Sequence, residues 1–323
     1  MTMRRTGMAA GTAATLLAAL LALTGCDAIS GDGDGGRTSG NGGADGGADG
    51  GADGGADGGG SAAEAPTEVT VNRSVWHQGF KITVSAARLV EPRDEGGQRA
   101  VAIEATFQNL SPEEDDHPTR YLVVSSGQDS YDEPAGDLFD VPDVPALRSR
   151  TGVIAIVVDE KFTLADAVLT FGEPTHRQAV VPLAREAGLV ALEPRAVKAG
   201  GKVLGEGNDA FFLTVTGVEI RADNPHQHVQ AKAGTDFFGI TFTATNDSSA
   251  GFAWVFERDL NLKLPDGTKI GHSSDCSRGQ VYAAEHSTVS GGYLCFEVSA
   301  PATGDYTLIW DNVEKRGLRL RVA

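Results

Sequence analysis

His226 and His228 stand two residues apart in Asn-Pro-His-Gln-His-Val-Gln (224–230). On a strand, side chains two apart share a face, so the two imidazoles could ligate a metal together with Asp223, His272 or His286. The same stretch also reads as a polar loop between strands, with both histidines solvated. Ser-Pro-Glu-Glu-Asp-Asp-His-Pro (111–118) offers calcium four carboxylates, Glu113, Glu114, Asp115 and Asp116. Adjacent carboxylates point in different directions and no glycine-punctuated loop surrounds them, which favours a solvated acidic turn. The three methionines, Met1, Met3 and Met8, all precede Cys26, so the chain beyond it holds no Met-rich copper site. A second acidic loop, Asp-Glu-Pro-Ala-Gly-Asp-Leu-Phe-Asp-Val-Pro-Asp (132–143), mixes apolar residues with its carboxylates and is the better candidate for a recognition surface.

Motifs for enzymatic chemistry fail on context. Gly-Glu-Gly-Asn-Asp-Ala (205–210) matches a Gly-x-Gly-x-x-Ala phosphate loop, but it runs into the strand-like Phe-Phe-Leu-Thr-Val and not into a helix that would point its N-terminus at a phosphate. No Gly-x-Ser-x-Gly elbow occurs, and scattered Ser, His and Asp residues do not define a triad. A non-enzymatic protein without a cofactor is expected. Formal net charge is −17, which repels a phosphate backbone and argues against nucleic acid as a partner.

Three cysteines remain to be placed. Cys295 lies in the strand-like Gly-Gly-Tyr-Leu-Cys-Phe-Glu-Val, and Cys276 in the polar His-Ser-Ser-Asp-Cys-Ser-Arg-Gly-Gln before it. A bridge between them closes a loop of about 20 residues and adds about 3 kcal/mol in the chain-entropy model. A reactive pair or a soft metal site is the rival reading. Cys26 differs, because it follows an apolar run and precedes almost pure glycine and aspartate. Arg4 and Arg5 followed by the apolar 9–23 have the charge, length and order of a secretory signal, too short for a mature membrane span. Leu23-Thr24-Gly25-Cys26 resembles the lipobox of bacterial lipoproteins, which implies diacylglycerol on the Cys26 thiol and cleavage before it. The longer pattern of twin-arginine export is missing around the arginine pair.

The residues beyond Cys26 have a physical role of their own. Four copies of Gly-Gly-Ala-Asp (42–57) sit among Gly, Ser and Asp, with Ile29 as the single large apolar side chain. Nothing there offsets the entropy of ordering the backbone, so the segment is expected to be a disordered acidic tether. About 40 such residues span roughly 35 Å as a flexible coil. A calcium-loaded repeat needs longer units with a large apolar residue.

From residue 66 on, the chain reads as all-β. Phe-Lys-Ile-Thr-Val-Ser-Ala-Ala-Arg-Leu-Val (80–90), 100–110, 121–126 and 152–158 are short apolar or alternating runs rich in Val, Ile and aromatics, separated by Gly, Pro, Asp and Asn. The nearest approach to a helix, 182–193, is cut short by Gly188 and Pro194. The runs also repeat. Residues 80–90 reappear at 211–220, 101–115 at 238–251, and 150–171 at 289–310. From Val84 to Phe107 is 23 residues and from Val215 to Phe242 is 27; from Phe107 to Val158 is 51 and from Phe242 to Val298 is 56. Those spacings match two copies of one antiparallel sandwich that differ by loop-sized amounts.

The first copy carries an aromatic and glycine lead-in (Val-Trp-His-Gln-Gly-Phe, 75–80), then a strand ending in Phe-x-Asn (Thr-Phe-Gln-Asn-Leu-Ser, 106–111; Thr-Ala-Thr-Asn-Asp-Ser-Ser, 243–249, in the second), then a Gly-led apolar strand before a closing pair. This order resembles an immunoglobulin-like domain family of unknown function on secreted proteins and lipoproteins of Gram-positive bacteria, related in fold to a mycobacterial secreted immunoprotective antigen. The second copy lacks the Trp-x-x-Gly lead-in. The resemblance implies two immunoglobulin-like sandwiches and brings no catalytic residues. The expected organisation is a lipoprotein signal (1–25), lipidated Cys26 and tether (26–66), a first sandwich (67–185), a connector (186–191) and a second sandwich (192–323). The expected function is non-catalytic binding or support on the extracellular face of the cell membrane, held by lipid at Cys26, with an envelope protein or glycan as partner. The alternative is a metal or small-ligand accessory protein using His226 and His228.

Overall fold

In Phe80-Lys81-Ile82-Thr83-Val84, alternation puts three apolar side chains on one face of a strand, and Phe80, Ile82 and Val84 are all buried. Phe211, Leu213 and Val215 repeat the arrangement in the second half. The computed structural model describes residues 66–92, 97–112, 118, 121–204, 210–249, 252–254, 260–277, 281–310 and 316–323. The signal, Cys26, the tether, Glu113 to Asp116 and residues 205–209 of the Gly-rich run therefore lie outside the described residues. Among the described residues there is no α-helix.

The first half contains β1 (Glu68–His77), β2 (Phe80–Val90), β3 (Ala100–Asn109), β4 (Leu122–Ser126), β5 (Asp129–Tyr131), β6 (Ser149–Val157), β7 (Val168–Phe171) and β8 (Ala179–Pro182). The second contains β9 (Arg195–Val197), β10 (Gly201–Leu204), β11 (Phe211–Arg221), β12 (Asp223–Asn224), β13 (Val229–Gln230), β14 (Thr235–Asn246), β15 (Phe252–Trp254), β16 (Leu260–Lys263), β17 (Lys269–Gly271), β18 (Val281–Ala283), β19 (Ser287–Ser299), β20 (Gly304–Trp310) and β21 (Leu318–Val322).

Two antiparallel sheets, β1-β2-β3-β6 and β5-β4-β7-β8, form the first sandwich. The second repeats that order as β10-β11-β14-β19, with β9 also on β11, and β17-β16-β20-β21. In both, the third strand pairs with the sixth of its sheet set, and the chain crosses to the opposite layer in between, the immunoglobulin-type pattern. One core joins Phe80, Ile82, Phe107 and Ile154 to Val124, Leu169 and Phe171; the other joins Leu213, Phe242 and Phe296 to Leu262, Leu308 and Trp310. A bulge recurs at the same place, at Ser85 between Val84 and Ala86 and at Thr216 between Val215 and Gly217.

Each third strand ends on a buried asparagine with one role. Asn109 donates its amide to Val144 O (2.9 Å) and accepts from Ser111 N (2.8 Å). Asn246 donates to Ala284 O (3.0 Å) and accepts from Ser248 N (3.0 Å). With these as landmarks, Phe107, paired with Ile82, matches Ala244, paired with Leu213; Phe242 matches Ala105. The pairing of Phe107 with Phe242 by sequence spacing is thus off by two residues. Large and small side chains have exchanged places on neighbouring inward positions, so total core volume is kept while the pattern shifts. Gly292, opposite Phe242, leaves the room the larger ring needs, since any Cβ there would strike it.

The corrected register locates the extra length. Between Arg221 and Phe237 the second half has fifteen residues where the first has nine between Val90 and Ala100. The addition forms the β12-β13 hairpin. The acidic loop 132–143 also has a defined place: Ala135 N donates to Ala155 O (2.9 Å), and Asp140 and Val153 exchange two bonds of 2.9 and 2.7 Å. It lies along β6 and covers that edge of the sheet, leaving Asp132, Glu133, Asp137 and Asp140 exposed.

Candidate functional site

Asn224 shapes the tip of the β12-β13 hairpin, because its side-chain oxygen accepts from His226 N (2.9 Å) in an Asx turn. Pro225 to His228 form that turn, with His228 at a left-handed φ of 51°. The stretch is thus a loop between strands, and His226 and His228 do not share a strand face. His226 packs on Tyr293 of its own half (centroids 4.9 Å apart), while His228 packs on Phe80 of the other (5.4 Å). His272 meets Ser277 Oγ at 3.1 Å, and His286 is exposed on a turn. Among the described residues no group of three or more His, Cys, Asp or Glu is placed to hold a metal.

The hairpin instead grips the first sandwich. Its target is the tight turn Gln78-Gly79 between β1 and β2, both residues left-handed at φ 46° and 79°. Gly79 N donates to Asp223 Oδ2 (2.7 Å), Gln78 N to Gln230 Oε1 (2.9 Å), and His228 Nδ1 donates to Gln78 O (3.0 Å). Asp223 is itself buried, with Oδ1 held by Arg221 Nη2 at 2.9 Å and Nε at 3.0 Å, so a charge removed from water keeps its partner. A Cβ on Gly79 would come 2.8 Å from Pro225 Cα, so only glycine permits the contact. Alongside, Arg177 N donates to Ala231 O (2.8 Å) and Ala233 N to Thr175 O (2.9 Å), while Arg177 faces Asp236 at 3.5 Å. The connector completes the junction: Val190 and Val180 exchange backbone bonds, Ala191 O accepts from Trp76 N (2.8 Å), and Leu192 packs on the first core.

Cys276 and Cys295 form a disulfide, Cα atoms 5.7 Å apart, inside a small buried cluster with Ala231, Phe237 and Tyr293. The bridge holds the loop that supports the hairpin: Asn224 Nδ2 donates to Cys276 O (2.6 Å) and Gln227 Nε2 to Ser277 O (3.2 Å).

A pocket of about 200 Å³ opens at this junction, lined by His77, Tyr121, Glu173, His176, His228 and Gln230 among others. His77, from the lead-in, is fully buried, and neither ring nitrogen has a hydrogen-bond partner among the described residues; the same holds for Nε2 of Gln230, 7% exposed. Gly172, φ 103°, gives His77 its room, because a Cβ there would lie 2.8 Å from the ring. Burial pushes the His77 pKa down to about 4, against a smaller upward pull from Asp223, so the ring is neutral at pH 7. Tyr121, 58% exposed, stands at the mouth with a φ of 60°, a left-handed backbone rare for a bulky side chain, and its carbonyl accepts from Gly172 N (2.9 Å). Of the sequence candidates only His228 reaches the pocket. His77, Tyr121, Glu173, His176 and Gln230 were not singled out, although His77 lies in the Trp-x-x-Gly segment that marks the first copy alone.

Comparison of the chain with family models, with curated proteins and with solved structures finds no match.

Proposed function

We propose that this chain is a lipid-anchored extracellular binding protein, non-catalytic, holding two immunoglobulin-like sandwiches above the membrane on an acidic tether. One observation carries the binding role: the junction between the sandwiches is built from polar contacts around a pocket that contains a buried imidazole and a buried amide without protein partners. Buried polar groups in native proteins are satisfied in nearly every case, and exceptions mark sites where something else supplies the partner. The anchor rests on Leu23-Thr24-Gly25-Cys26 and its flanks. The likeness to the Gram-positive extracellular domain family, and an envelope protein or glycan as partner, belong to the same reading. Its alternative, small-ligand binding through the His226/His228 turn, is favoured for His228 alone, which faces the junction.

The test has two arms. Cys26→Ala moves the protein from the membrane fraction to the soluble one or leaves an unprocessed precursor; a variant cleaved and retained like wild type sinks the anchor. The solubilised wild-type chain binds saturably to isolated envelope fractions, and a linear, non-saturating response sinks the binding role.

A further inference from the structure

We propose that the junction pocket is a subsite for one neutral sugar unit, an inference that rests on the binding role above and names its ligand class. The chemistry of the lining selects the ligand. A neutral imidazole presents one donor and one acceptor, and a hydroxyl, which both donates and accepts, is the group that satisfies either tautomer of His77. The free amide hydrogens of Gln230 call for an acceptor, and the Glu173 carboxylate, whose Oε2 accepts from Thr175 Oγ1 (3.3 Å) and faces His176 Nδ1 (3.7 Å), keeps capacity on its other oxygen for a donor; a polyol offers both on adjacent carbons. The exposed ring of Tyr121 at the mouth adds an aromatic surface for the apolar C–H face of a pyranose.

Charge and size exclude the competitors. None of the described lining residues is a lysine or arginine, and the lining carries the carboxylate of Glu173, which disfavours an anion. A metal lacks its ligand set among the described residues. At about 200 Å³ the pocket lies below the range of about 300–1,000 Å³ that takes drug-sized molecules, which limits it to a single ring.

Saturation-transfer NMR on the mature lipidated chain, in a detergent without a sugar headgroup, provides the test. The probes are glucose, galactose, mannose and N-acetylglucosamine, with glucuronate and zinc chloride as comparators. At least one neutral sugar is expected to give a saturable signal that Tyr121→Ala and Glu173→Ala each weaken about tenfold or more, while Tyr282→Ala, which removes an equally exposed tyrosine remote from the junction, leaves it unchanged. His77→Phe replaces the imidazole with a somewhat larger ring that has no nitrogens; it is expected to abolish the signal in a variant that still unfolds in one cooperative transition. No signal from any of the four sugars overturns the proposal. So do a signal indifferent to Tyr121→Ala and Glu173→Ala, an equal signal from glucuronate, and zinc stabilisation that His77→Phe removes. Envelope binding that persists after any of these results leaves the general binding role standing and the sugar subsite refuted.

Discussion

An imidazole buried with neither nitrogen partnered costs the folded state about 1–3 kcal/mol, and His77 bears that cost at a junction and not in a core. Its pKa near 4 in the folded chain, against 6.5 unfolded, gives a sign as well as a size. Between these values the unfolded chain binds the proton more readily, so stability is full above pH 6.5 and falls as pH drops toward 4, by about 3 kcal/mol in all. His176 adds to the downward shift and Asp223 opposes it. Urea midpoints at pH 7 and pH 4.5 measure the loss, and His77→Phe should remove most of that pH difference while leaving the other titrating groups in place. At this scale the sequence was uneven in what it disclosed. Asn109 and Asn246 were legible as a pair because each ends its strand in the same Asn-x-Ser spacing, and both accept from the serine N–H two residues on. Phe107 and Phe242 misled, because identical rings in an alternating strand align by type while the register aligns them with alanines. Nothing in a sequence tells which of seven histidines is buried, since burial depends on what folds over it.

Two elements mark where the copies differ, and they touch each other. The Trp-x-x-Gly lead-in occurs in the first copy alone, and the β12-β13 hairpin is the insertion of the second. The absence of the lead-in from the second copy thus has a structural reason: its turn is the part of the first sandwich that the second one holds. Gly79→Ala tests this grip. The alanine is strained at φ 79° and its Cβ meets Pro225, whereas Gly127→Ala, at φ 63° in the β4-β5 turn, meets nothing within 4 Å. Gly127→Ala should cost about 1 kcal/mol from backbone strain. Gly79→Ala should cost visibly more by the same denaturation curve, and equal losses count against the contact. The disulfide was readable from two cysteines, one on a strand and one in the loop before it, in a chain whose first residues have the order of a secretory signal. Its task was not: the covalent bond secures Cys276 O and Ser277 O, the two acceptors on which the hairpin side chains Asn224 and Gln227 rest. Of the two readings of His226 and His228, a shared strand face or a polar loop, the element settles for the loop, because a period of two holds only on a strand and these residues form a turn.

At the scale of the molecule, the internal repeat disclosed the all-β sandwich architecture, since strand periodicity and turn residues are local signals repeated in order. The junction was not disclosed, because the bonds of its grip on the Gln78-Gly79 turn join residues far apart in sequence, 152 in the case of Gln78 and Gln230. The same bonds predict how the chain behaves when cut. Arg185 is exposed at the start of the connector, and Val190, Ala191 and Leu192 beyond it pack on the first sandwich. Trypsin cleavage there should yield two fragments that elute together on gel filtration and part only in denaturant. Separate elution in native buffer contradicts the junction.

The grip of hairpin on turn also sets how many copies of the chain can join. A contact between two different surfaces, repeated between molecules, closes into a ring or, where the rotation does not close, grows as an open filament. Here the receiving turn exists on the first sandwich and the grasping hairpin on the second, one of each per chain, and each occupies the other. Had both copies kept both features, every chain would carry a spare of each, and neighbouring chains would link through them into rings or open filaments. Divergence of the copies leaves the pair with no remaining valence for that contact. Restoring the lead-in to the second sandwich or the insertion to the first would supply it.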